Sequence, residues 1–188
     1  GGSFYDWMYS DDPQPYHSFG NGAAMRISAV GFAARNMNEV KALSRAVTAI
    51  SHDHPEGLKG AESVAMAIFL ARQSKTKAEI RDYIEQNYYK IGFTLDEIRG
   101  TYEFNETCQN TVPQAFEAFF EAKDFEDAIR NAVSVGGDSD TLAAITGSIA
   151  EAYFGIPFDL RKKAESYLDN DAFRPVHTWL KRFEKMFP

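Results

Sequence analysis

Two aspartates one residue apart, Asp138 and Asp140, follow the glycine pair Gly136-Gly137 and are followed by the hydroxyl of Thr141. Carboxylates and a hydroxyl are hard oxygen donors, the kind magnesium takes at near-octahedral angles while keeping several waters. Three such ligands would form a partial set and would not complete two metals. The same residues also read as an ordinary helix junction, with Gly136 a C-cap and Asp138 or Ser139 an N-cap. Asp140 exceeds what capping requires, because its charge repels Asp138 unless a cation lies between them. A phosphate site at this turn is opposed by the two acids.

Two further segments carry chemistry. Ser18-Phe19-Gly20-Asn21-Gly22-Ala23-Ala24-Met25-Arg26 is a loop of small residues leading into a helix. Such a loop lets backbone approach a ligand and turns amides toward an anion such as a pyrophosphate, with Phe19 available to stack on a base. Its plainer reading is a turn with Asn21 in a left-handed or capping conformation and Met25 in the core. Ser51-His52-Asp53-His54-Pro55-Glu56 gathers two imidazoles and two carboxylates at a helix end. Alone it suggests zinc. The histidines lack the i, i+4 spacing that shares a helical face, however, and favourable placement at a helix C-terminus is the simpler account.

The elements that must position these residues read as helices. Apolar residues recur at helical spacing through most of the chain, and no sustained alternation marks a strand, so the expected fold class is all-α. Val40, Leu43, Val47 and Ile50 mark one face of a helix capped by Asn36 or Asn38 and ending before Pro55. From Gly60 to about Arg72 only a narrow polar face remains, which predicts a central buried helix. Thr76 with Glu79 and Thr94 with Glu97 have capping-box spacing and begin two short outer helices. A helix over 112–122 carrying Phe116, Phe119 and Phe120 pairs with one capped by Asp124. A small-residue helix runs from about Ser139 to Phe154, stopped by Gly155 and Pro157, and Pro175 opens a closing helix. No repeat or linker divides the chain, so residues 1–188 are expected to form a single domain.

The formal net charge is -7 in 188 residues, a field that repels nucleic-acid backbones and anionic membranes. No apolar run is long enough to span a bilayer. The lone cysteine, Cys108, excludes an intrachain disulfide framework and fits a reducing compartment. Cytoplasmic location is the expectation.

In order and spacing, the three segments together resemble the ADP-ribosylglycohydrolase family, also known by its dinitrogenase-reductase-activating member. Gly20 to Arg26 matches its Gly-Asn-Gly-x-x-Met-Arg loop. Ser51, His52 and Pro55 match a Thr-His-x-x-Pro stretch, and Gly136 to Thr141 matches Gly-Gly-Asp-x-Asp-Thr. The resemblance implies an all-α fold around two magnesium ions and hydrolysis of the bond joining the anomeric ribose carbon of ADP-ribose to an acceptor. It implies metal ligation by Asp138, Asp140 and Thr141. Ser18, Phe19, Gly20, Asn21 and Gly22 would hold the ADP-ribose, with Phe19 under the adenine and His52 a further contact. The reaction passes through an oxocarbenium-like ribose, with Asp138 orienting the attacking water or taking its proton.

The chain departs from the family pattern where members begin with a Gly-Asp start, a glutamate and a Thr-Asp-Asp-Thr metal motif. Asp11-Asp12, the chain's only adjacent pair of aspartates, lacks the flanking threonines and does not replace that motif. Ser51 stands for threonine, and Ala29 where proline is common. The missing ligands would come from a longer chain or a second one. Three functions follow as expectations: a magnesium-dependent ADP-ribosyl-acceptor hydrolase, an inactive module binding ADP-ribose or a nucleotide, and a crystallin-like structural protein.

Overall fold

The computed structural model describes residues 2–168 together with Pro175, Thr178 and Lys181. Among these residues the chain is all-α, as its periodicity predicts, with one isolated antiparallel bridge between Gly20 and Thr107. Residues Gly1–Gly155 form one compact unit and Ile156–Pro188 a second. Every candidate site residue lies in the first. The second carries α11 (Phe158–Glu165), and the closing helix expected at Pro175 lies for the most part outside the described residues. No described helix is long and apolar enough to cross a membrane.

In the first unit, α1 (Gly2–Met8), α2 (Gly22–Met25) and α3 (Ser28–Ala33) precede α4 (Met37–Thr48). Asn36, one of the two expected caps, accepts from the Glu39 amide at 3.0 Å. The buried face of α4 differs from the expected one. Val40, Ser44 and Thr48 face inward, whereas Leu43, Val47 and Ile50 are 39%, 50% and 52% exposed. Spacings of four and three both preserve a face, and here the interior took the polar Ser44 and Thr48 over the larger apolar side chains.

Next comes α5 (Pro55–Arg72), the central helix. Proline suits a first turn, where its missing N–H leaves no bond unmade. From Gly60 to Ala71 nearly every residue is buried, so the helix is enclosed on all sides. After it come α6 (Lys77–Asn87), packed on α5, and α7 (Leu95–Ile98), packed on the later helices, each opening with the capping box that its Thr and Glu predict. They are followed by α8 (Cys108–Glu121), α9 (Phe125–Val135) and α10 (Ser139–Phe154). In α8 the rings of Phe116 and Phe119 are fully buried, each worth about 1.5–3 kcal/mol of apolar burial. Asp124 caps α9 through the Asp127 amide at 2.8 Å.

The approach of α5 to its neighbours depends on glycine. A Cβ on Gly60 would stand 2.6 Å from the Cys108 sulfur, and one on Gly57 2.6 Å from the Ser18 carbonyl oxygen. Bare backbone at these two positions lets α8 and the 18–22 loop settle onto the first turns of α5.

Candidate active site

The 18–22 loop is held by main chain from a distant segment. The Asn21 amide donates to the Glu106 carbonyl at 2.7 Å, and the Cys108 amide to the Phe19 carbonyl at 3.0 Å. The Cys108 thiol donates to the Gly20 carbonyl at 3.3 Å, and burial pushes that thiol up to about 12. A thiol so placed is a buttress, in keeping with its weakness as a nucleophile. Ahead of the loop, the His17 amide donates to Asp53 at 2.7 Å, with His17 at φ 57°.

Asn21 has right-handed helical angles and makes no capping bond, so neither role suggested for it in the sequence applies. Its buried side chain instead points across the chain. The Nδ2 donates to Asp138 at 2.6 Å and lies 3.1 Å from the Thr111 hydroxyl and 3.3 Å from the Asn105 carbonyl. A charge-assisted bond of that length is among the strong ones. It joins positions 117 residues apart. Asp138 occupies the N-cap position of α10 but makes no side-chain cap bond. Its carboxylate serves the Asn21 contact in place of the helix end, while Gly136 is the C-cap of α9 as the junction reading expects.

The turn ahead of α10 uses both glycines, Gly136 at φ 82° and Gly137 at φ 62°. L side chains avoid such angles. A Cβ on Gly137 would also stand 2.5 Å from the Tyr102 ring. Asp140 is exposed, and its carboxyl is held below the usual aspartate range, first by a hydrogen bond with Asp138 and then by the Thr141 amide. Two carboxyl groups in contact require a proton or a cation between them. Thr141 is buried, and its hydroxyl reaches only the Met25 sulfur at 3.5 Å, a weak acceptor that leaves the oxygen available. Met25 itself is 38% exposed and not part of the core. Two carboxyls and a hydroxyl are the oxygen donors expected here, but only Asp138 and Thr141 line the same cavity. Among the described residues no group of three or more His, Cys, Asp or Glu side chains could hold a metal.

His52 is 5% exposed, and its Nδ1 lies 2.8 Å from the Ser51 hydroxyl. Burial, with the Arg26 charge adding to it, lowers its pKa to about 4, so the ring is neutral near pH 7. His54 caps α5 by accepting from the Glu56 amide at 3.1 Å. The expected placement of histidine charge at a helix C-terminus is therefore replaced by an N-cap and a neutral ring. Phe19 is exposed, with the His54 ring centred 5.1 Å away.

Ser18, Phe19, Gly20, Asn21, Gly22, His52, Asp138 and Thr141 all line one cavity of about 780 Å³; Asp140 is not among its lining residues. Arg26, Tyr16, Glu106 and Thr107 line it as well, and together with Thr111 and Asn105 they are what the sequence did not single out as site residues. Arg26 belonged to the loop motif, but its distance from the other segments hid its role. Asn105 to Thr111 bear no local signature, and only the fold brings them to Asn21. The Gly20 and Asn21 amides are already engaged, by the Ser18 hydroxyl at 3.2 Å and by Glu106. The backbone cradle expected of these two amides is not on offer, and polar recognition falls to side chains.

An all-helical unit that ties a glycine loop, a neutral histidine and a tandem-aspartate turn to one cavity has the architecture of the ADP-ribosylglycohydrolases. The chain matches the ADP-ribosylglycohydrolase family over residues 2–185 and belongs to it. It is similar to human ADP-ribosylhydrolase ARH3, 27% identical over 203 residues that cover 82% of this chain and 56% of the relative. An uncharacterized protein of Archaeoglobus fulgidus is 29% identical over 164 residues, covering 72% of this chain and 50% of the relative. A solved structure titled ADP-ribosylglycohydrolase-related protein complex superposes with a TM-score of 0.67 at 25% identity, covering 87% of this chain and 64% of that one. The chain thus spans about half the length of the curated relatives it matches.

Proposed function

We propose that this chain supplies the ADP-ribose-binding wall and one cation site of a hydrolase that cleaves the glycosidic bond between ADP-ribose and an acceptor. The observation that carries the reading is the 2.6 Å bond from Asn21 to Asp138. It makes the nucleotide-side loop and the acidic turn parts of one cavity wall, which an ADP-ribose must span if its ribose is to meet the acids. A cavity of about 780 Å³ falls in the range of small-molecule sites.

In this mechanism Arg26 offers positive charge to a diphosphate, the Ser18 hydroxyl donates to the ligand, and Phe19 gives a face to the adenine. Asp138, Asp140 and the Thr141 hydroxyl would hold magnesium, and Lewis acidity at the ribose is what that cation supplies when bound. Asp138 orients the attacking water against the anomeric carbon or takes its proton as the oxocarbenium-like ribose forms. Asn21 keeps that carboxylate aimed, and such pre-set geometry accounts for much of what a hydrolytic site contributes.

Calorimetric titration of ADP-ribose with and without magnesium tests the reading. Binding that needs the metal is the expected result. Metal-independent binding would mark a module that holds the nucleotide without turning it over. No binding in either buffer would sink the proposal and favour a structural role.

A further inference from the structure

The ring of His52 is confined on several sides, while its chemistry depends on one neighbour. Its amide donates to the Thr48 carbonyl at 2.9 Å, fixing the turn after α4. A Cβ on Gly57 would stand 3.2 Å from the His52 Cβ, and the Tyr16 ring meets the imidazole edge-on at 5.9 Å. Nδ1 faces the buried Ser51 hydroxyl at 2.8 Å. Nε2 faces the loop, since a Cβ on Gly20 would stand 3.6 Å from it. Ser51 does not line the main cavity and His52 does, so toward a ligand held there serine acts through the imidazole; both also line a smaller cavity of about 190 Å³.

A neutral imidazole has one N–H, and which nitrogen carries it is set by the bond the other nitrogen makes. If Nδ1 held the proton, it would donate to Ser51, and the serine's own proton would be buried without an acceptor among the described residues. Leaving a buried donor unmade is unfavourable. If Ser51 donates to Nδ1, the buried hydroxyl is satisfied, and Nε2–H becomes a donor aimed into the cavity.

We propose that Ser51 is a positioning residue: its hydroxyl fixes His52 as the Nε2–H tautomer, so that the cavity wall presents a hydrogen-bond donor to a ligand oxygen, a diphosphate or a ribose hydroxyl. The choice of ligand rests on the ADP-ribose reading, but the tautomer does not. An imidazolium would also donate there; the neutral ring does so without bringing a second positive charge beside Arg26.

Long-range ¹H–¹⁵N correlation spectra of the chain with ¹⁵N-labelled histidine decide the matter. In the wild type the His52 signals should report protonated Nε2 and bare Nδ1. Ser51→Ala should move them toward a mixture, and Ser51→Thr, which keeps the hydroxyl, should restore them. ADP-ribose affinity should fall about three- to tenfold in Ser51→Ala, the value of one net hydrogen bond, and stay within about twofold in Ser51→Thr. A wild-type spectrum with the proton on Nδ1 overturns the proposal without any variant, as does a folded Ser51→Ala that keeps the wild-type tautomer. Should the wild type bind no ADP-ribose while the tautomer follows the serine, the nucleotide reading fails and the positioning role stands.

Discussion

The two ends of the cavity are built differently. At the loop end, residues 18–22 are bonded to Glu106 and Cys108 through main chain, backed by the Cys108 thiol, and pressed against α5 at Gly57. Every tie there is made within this chain. At the acid end, Asp138 is held by a single side-chain donor from Asn21 after two glycines at positive φ, and Asp140 is exposed. The proposed donors Asp138, Asp140 and Thr141 would give a cation one face. A nucleotide wall can be finished by local packing, whereas a cation shell needs oxygens from several directions.

The contrast breaks most readily at Gly137. Replacement by alanine forces a side chain into φ 62° and against the Tyr102 ring, which should lower unfolding stability by about 2–4 kcal/mol. Urea denaturation measures it, and a loss under half a kilocalorie would mean that the turn rearranges freely. Asn21→Ala comes next. It removes the charge-assisted bridge between the ends and leaves Asp138 without its donor, a loss of about 1.5–3 kcal/mol for a bond to a charged group. ADP-ribose binding should then weaken and need more magnesium for saturation, because the loop keeps its main-chain ties while Asp138 loses its donor. A folded Asn21→Ala with the wild-type magnesium demand would show that this bond does not position the acid.

At the acid end alone, Asp138→Asn and Asp140→Asn should each weaken magnesium binding about tenfold or more, since each removes a charged ligand from a set of three. Titration of magnesium by calorimetry, with ADP-ribose present, reads the change. If Asp140→Asn binds the ion as the wild type does, the exposed carboxylate is no ligand, and the donor set shrinks to Asp138 and Thr141.

Much of the frame was legible because it is local. The capping boxes at Thr76 and Thr94, the Asp124 cap and the span of α10 follow from residues three or four apart. What the sequence misjudged depended on partners far along the chain. Leu43, Val47 and Ile50 carry a helical apolar pattern yet stay exposed, because the interior met Ser44 and Thr48 instead. Asn21 looked like a turn residue until Asp138, Thr111 and Asn105 were brought to it. His54 looked like part of a ligand cluster until the Glu56 amide claimed it as a cap. Types and spacing indicated which residues could do chemistry, while long-range packing decided which of them share a cavity.

The smallest effect concerns the loop end and its neutral histidine. In the unfolded chain His52 titrates near 6.5, and in the folded protein its pKa is lowered to about 4 by burial and by Arg26. Between those values the unfolded chain takes up a proton that the folded one refuses, so acid favours unfolding. Stability should be insensitive to this group above pH 7 and should fall as the pH drops from about 6.5 toward 4. His52→Gln removes the titration but not the carboxylates and other groups that also respond to acid, so the difference between the two proteins isolates the imidazole. Denaturation midpoints across that window should converge as the pH falls, the wild type losing more than the variant. If instead acid stabilised the wild type relative to His52→Gln, the ring would be gaining a proton on folding, and the neutral wall that distinguishes the loop end from the charged acid end would not exist.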